Sequence, residues 1–119
     1  MSLLDRLQEA VSQQPQDEPA SASIPRTEVY SLLQNERRRH IIRYLAEHDD
    51  DEVAVSEIAD HLAELGDDRT NCYVSAIQQH CPRMSPSVVE FDEQSKSVRI
   101  RPELYVVADV MEAVEETLD

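Results

Sequence analysis

The chain's only glycine, Gly66, stands just beyond the last residue of an amphipathic pattern, and that position constrains the fold more than any other residue. Ile58, Ala59, Leu62 and Leu65 recur at helical spacing behind Ser56, a residue type that accepts hydrogen bonds from the free N–H groups at a helix start. A glycine at such a place closes the helix in the left-handed conformation, because it has no Cβ to clash. Asp67 or Asp68 can then cap a second helix, expected from Arg69 to about Cys81, with Pro82 and Pro86 ending it. Two helices across so short a turn predict a helix-turn-helix unit.

Flanking patterns extend this unit in both directions. Leu3, Leu4, Leu7, Ala10 and Val11 predict an amphipathic helix over residues 1–12, and the Pro-, Ser- and Gln-rich stretch 13–25 reads as a flexible linker. Thr27 is placed to cap a helix carrying Val29, Leu32 and Leu33. Asn35 is placed to cap the next, where Ile41, Ile42 and Leu45 form a stripe beneath Arg37, Arg38, Arg39 and Arg43. Glu52 to Val55 reads as a short strand. Ser87 to Asp92 and Ser97 to Ile100 read as a hairpin around Glu93–Lys96, a loop without the glycine usual in such turns. Beyond Pro102 a last helix sets Leu104, Val107, Ala108, Met111, Val114 and Leu118 at near-heptad spacing. This order predicts a mainly α fold with a small β-hairpin: a winged helix-turn-helix domain over 26–101 and a C-terminal dimerisation helix over 102–119. With 119 residues, one Phe and no Trp, the core is expected to be modest and aliphatic.

A single glycine leaves no phosphate-binding loop, dinucleotide fingerprint or nucleophile elbow, so neither an enzyme nor a bound cofactor is expected. Cys72 and Cys81 lie nine residues apart, about 13.5 Å along one helix and on different faces, which argues against a disulfide between them. His40, His48, His61, His80 and Cys81 show no ligand spacing, and no metal site is expected. Without a signal-like N-terminus or an apolar run approaching about 18 residues, the expected setting is cytoplasmic, with no membrane partner.

Charge then selects the surface able to meet a nucleic acid. Acidic residues number 25 against 11 basic ones, a net charge of −14, yet Arg69 to Val89 runs 21 residues without an Asp or Glu. Just before it, residues 46–68 hold ten acids and no Lys or Arg. With Cys72, Ala76 and His80 turned to the core, the other side of the helix presents Thr70, Asn71, Val74, Ser75 and Gln78. Asn and Gln make paired hydrogen bonds to adenine, Ser and Thr bond permissively, and a small aliphatic meets a thymine methyl. Arg69 is placed for a guanine edge or a phosphate. Arg37 and Arg38, with Arg39 and Arg43, are candidates for phosphate contacts or for pairing with the acidic run 47–52. Gln94 and Lys96, backed by Arg99 and Arg101, are the candidate wing contacts. Leu104, Val107, Met111 and Val114 are the candidate homodimer seam, which would set two reading helices one DNA turn apart, roughly 34 Å. The expectation is a sequence-specific transcription regulator bound to double-stranded DNA. The alternative is a protein-interaction module using the same polar face or the 1–12 helix.

Leu32 to Leu45, followed by Val55-Ser-Glu-Ile-Ala59, resembles the opening of ArsR-like winged-helix regulators. Cys72-Tyr-Val-Ser75, Gln78-Gln-His80, Pro82 and Val88-Val89-Glu-Phe-Asp92 are similar to an abundant family of small haloarchaeal winged-helix domains of unassigned function. The likeness covers about residues 27 to 101 and implies the fold and DNA binding. The chain departs from it in the neutral Thr70-Asn71, where relatives often carry basic residues, and in lacking a glycine before the first wing strand.

Ten of the eleven basic residues are Arg, and acid excess with so little Lys resembles proteins of halophilic archaea. At molar salt the Debye length is about 3 Å, so only touching charges are felt. Thermal stability is therefore expected to rise steeply with KCl as carboxylate repulsion is screened. Melting scans from low to molar KCl test this, and a salt-independent midpoint would contradict the halophilic reading.

Overall fold

The computed structural model describes residues 24–118. The 1–12 helix, residues 13–23 of the linker and Asp119 lie outside them. The elements run α1 (Arg26–Leu32), α2 (Glu36–Ala46), β1 (Glu52–Ala54), α3 (Val55–Glu64), α4 (Arg69–Ser75), a π-helical turn (Ala76–His80), α5 (Cys81–Met84), β2 (Val89–Asp92), β3 (Ser97–Ile100) and α6 (Pro102–Leu118). β3 is the middle strand of a three-stranded antiparallel sheet, with Val98 opposite Val53 on one side and Phe91 on the other. A helix-turn-helix flanked by such a sheet is the winged-helix arrangement.

Several boundaries follow from where backbone hydrogen bonds go. Asn35 Oδ1 accepts from the Arg38 amide at 3.0 Å and Asp68 Oδ1 from the Asn71 amide at 2.9 Å, so both act as N-caps. Gly66 sits at φ 109, the left-handed backbone that ends α3. Ser56, however, is inside the first turn of α3. The chain enters that helix directly from β1, with Ala54 at the N-cap position making no side-chain cap bond, and the Val55 amide is satisfied by the Lys96 carbonyl at 2.9 Å. Thr27 likewise lies inside α1, whose N-cap is Pro25. The linker ends earlier than residue 25, because Ile24 is buried in the core. In the hairpin loop Lys96 takes φ 55, the place a glycine would fill, at a cost of about 1 kcal/mol.

The largest departure from expectation is at Pro82, which does not end the helix. A proline ring clashes with the carbonyl four residues back, here Gln78. Upstream the ladder has widened, with the Cys81 amide donating five residues back to the Ala76 carbonyl, and the run continues through Met84. The widened turn lets both His80 and Cys81 face inward alongside Cys72 and Ala76. Both cysteines therefore share the interior, contrary to the expected opposite faces, and both are free thiols. Burial pushes the Cys81 thiol up to about 12, so it stays protonated.

The core joins Val29 and Leu32, Ile41, Ile42 and Leu45, Ile58 and Leu62, Val88, Val89 and Val98 to one face of α6. Leu104 and Val107 are fully buried there and Met111 is 4% exposed, while Val114 packs against the same cluster. The expected dimer seam is thus the domain's own interior. A chain this poor in large side chains needs that stripe to cover α2, each buried aliphatic contributing about 1.5–3 kcal/mol.

One polar lock closes α1 onto the end of the α4–α5 run. Arg83 donates to both Glu28 oxygens, at 2.9 and 3.2 Å, and Ser87 Oγ donates to Glu28 at 2.8 Å. The Arg83 hydrogen bond, reinforced by Ser87, holds the Glu28 carboxyl below its ordinary value of 4.5 despite partial burial. A carboxylate with a depressed folded pKa stabilises fully above that ordinary value and loses its contribution as pH falls through the lower one. Glu28→Gln is expected to lower stability by about 1–2 kcal/mol at pH 7 and by much less near pH 3. Urea unfolding at both values measures this, and an equal loss at both would show that the lock is not ionic.

Candidate nucleic-acid interface

α4 is the second helix of the helix-turn-helix, its start fixed by Gly66 and the Asp68 cap. Cys72, Ala76 and His80 face the core, as their spacing requires. Thr70, Asn71, Val74 and Gln78 are exposed on the far side, and Val74 keeps 44% of its surface. Asn71 and Gln78 are seven residues apart, about 10 Å along the axis, which is the rise of about three base pairs. Gln79 is exposed as well and borders the groove lined by Glu36, Arg37 and Asp67. It was not among the expected site residues, and Pro82 downstream was the signal in the sequence for the widened turn that carries it.

Ser75 does not belong to this face. It is half-buried, its Oγ accepting from Arg37 Nη1 at 3.0 Å and donating to the Cys72 carbonyl at 3.3 Å. Arg69 is on the face but reaches back to Asp60 of α3. Both partners are more than half exposed, so the pair is screened and exchangeable.

The arginines of α2 are turned inward on the protein rather than outward to a phosphate chain. Besides Ser75, Arg37 meets Asp67 at 3.6 Å. Arg38 donates to the Leu32 carbonyl at 3.3 Å and the Ser31 carbonyl at 3.2 Å, and Arg39 to the Leu33 carbonyl at 2.6 Å. These carbonyls lie where α1 ends and attract cations, that of Ser31 accepting from the Gln34 amide at 3.3 Å as well. Arg43 pairs with Glu115 of α6. None of the four pairs with the 47–52 run, and Arg37 and Arg38, expected at phosphates, are engaged by protein acceptors.

The wing is acidic where a DNA contact would need it basic. Gln94 is exposed at its tip and Lys96 is half-buried. Asp92 accepts from the Ser95 and Gln94 amides, which hold its carboxyl below the usual range and keep it charged. Arg99 is engaged by Glu52 at 3.5 Å and Glu90 at 4.0 Å, and Arg101 by the buried Glu103.

On the acidic face, Tyr44 stacks on His61 with ring centroids 4.5 Å apart, and its hydroxyl donates to Glu57 at 3.4 Å. His48 Nδ1 accepts from the Asp50 amide, so its Nε2 carries the hydrogen and donates to Glu57 at 3.0 Å. This cluster fastens α2 to α3, away from the reading face.

Among the described residues, no group of three or more His, Cys, Asp or Glu is placed to hold a metal ion, and no helix is long and apolar enough to cross a membrane. No curated protein and no solved structure matches the chain. Residues 30–99, from within α1 to the end of the wing, match the family described as a domain of unknown function, DUF7344, and the chain belongs to that family.

Proposed function

We propose that this protein is a sequence-reading DNA-binding transcription regulator of a halophilic archaeon, which lays α4 and the π-helical turn in the major groove. What supports the reading is the outer face itself: Thr70, Asn71, Val74 and Gln78 are exposed together, with the capping Asp68 the carboxylate at their edge, its Oδ1 taken up by the Asn71 amide. Amides, a hydroxyl and a small aliphatic are side-chain types that discriminate base edges. Because the α2 arginines are committed internally, backbone attraction is weak and discrimination rests on neutral hydrogen bonds. A two-fold operator would need a second copy, held by residues other than Leu104, Val107 and Met111, which face the core.

A protein-interaction module is the second reading, favoured by the carboxylates of the wing. Competition gel shifts in molar KCl separate the two. The first reading predicts preferred duplexes, a loss of discrimination of about 1–3 kcal/mol per contact for Asn71→Ala or Gln78→Ala, and little change for Lys96→Ala. Equal binding to every duplex, or none, would refute it, and unaltered preference in the double variant would move the reading face elsewhere.

A further inference from the structure

A cavity of about 390 Å³ opens between the start of α2, the turn after α3 and the π-helical turn. It has the marks of a binding site. His80 lines it at 2% exposure, and its Nδ1 is enclosed without a hydrogen-bond partner. Buried polar atoms are nearly always satisfied, so this one is notable. The amides of Glu36 and Arg37, at the positive end of the 11-residue α2, also have no partner within their helix, since the Asn35 side chain takes Arg38 and its carbonyl takes Arg39. Finally, the π-helical turn contributes Gln79 and His80 to the lining, and such turns recur at functional sites.

The lining selects a chemical class. Arg37 supplies one positive charge, 3.6 Å from Asp67; Glu36, whose carboxylate stands 3.7 Å from the His40 ring that also lines the cavity, and Asp67 supply two negative ones; Leu65 is an apolar edge that is 51% exposed. A plain anion would meet two carboxylates; a plain cation would meet Arg37 and the positive end of α2. Only a ligand carrying both signs uses both. The geometry points to a free α-amino acid: its carboxylate accepts from the amides of Glu36 and Arg37, its ammonium faces Asp67 and Glu36, and its side chain lies along Leu65. Burial, then the nearby Arg38 and Arg37, lower the His80 imidazole to about 4, so that a neutral ring borders the bound ligand. A ligand carboxylate would compete with Asp67 and Ser75 for Arg37, loosening α4 from α2. The regulatory meaning of that loosening rests on the proposed DNA reading; the binding does not.

The test titrates the full chain, with labelled histidine rings, at fixed KCl. Glycine, alanine, leucine and glutamine are the probes, with acetate and ethylammonium as their separate halves. At least one amino acid is expected to shift the His80 ring signals saturably and raise the melting midpoint. Glu36→Gln with Gln79→Ala, both at exposed positions that leave the core intact, is expected to weaken that binding at least tenfold. No response at His80 to any amino acid, an equal response to acetate alone, or undiminished binding by the variant would each overturn the proposal. Amino-acid binding without DNA binding would leave this site standing and remove only the DNA reading.

Discussion

The guanidinium forks of α2 hold the polar frame of this domain together. Arg38 and Arg39 satisfy carbonyls where α1 stops, Arg37 ties the helix-turn-helix to α2 through Ser75 and Asp67, and Arg43 reaches Glu115 on α6. Arg37, Arg38 and Arg39 thereby attach α1 and α4 to α2, while the Arg43–Glu115 pair to α6 lies at the surface and is screened. Arginine suits this role because its planar fork satisfies two acceptors at once and keeps its charge at any relevant pH. Beneath these contacts, Ile41, Ile42 and Leu45 supply the apolar half of the same helix. α2 is therefore fastened on its polar side and its apolar side alike.

What local chemistry decides was legible in the sequence. Gly66, the Asn35 cap and the acidic cap before Arg69 announce their positions, because each answers a requirement confined to a few residues. The exposed face of α4 followed from helical spacing alone for Thr70, Asn71, Val74 and Gln78. What depends on distant partners was not legible. Arg37 can be read as a phosphate ligand until Ser75, 38 residues away, is seen to accept from it. Leu104, Val107 and Met111 have the spacing of a seam whether they meet a second chain or the same one, and only the tertiary packing decides. A proline can end a helix or be tolerated where the ladder widens, and at Pro82 the π-helical turn shows the second outcome.

These internal commitments change what the acid-free run means for function. With most described cations facing protein acceptors, the proposed reading gives long-range attraction only a small part in binding. In the proposed reading, α4 meets DNA as a surface that fits and discriminates, while high salt screens the carboxylates around it. The buried imidazole of His80 feels Arg38 and Arg37 of α2, and the widened turn that carries it borders the cavity.

The most direct measurement of the central claim is a two-dimensional amide and side-chain NMR titration of the full chain with its preferred duplex in molar KCl. The account predicts shifts concentrated at Arg69, Thr70, Asn71, Val74 and Gln78, including the side-chain amides of Asn71 and Gln78, with the Arg37, Arg38 and Arg39 side-chain signals unchanged. Shifts centred on the α2 arginines or the wing, with the α4 face silent, would contradict it.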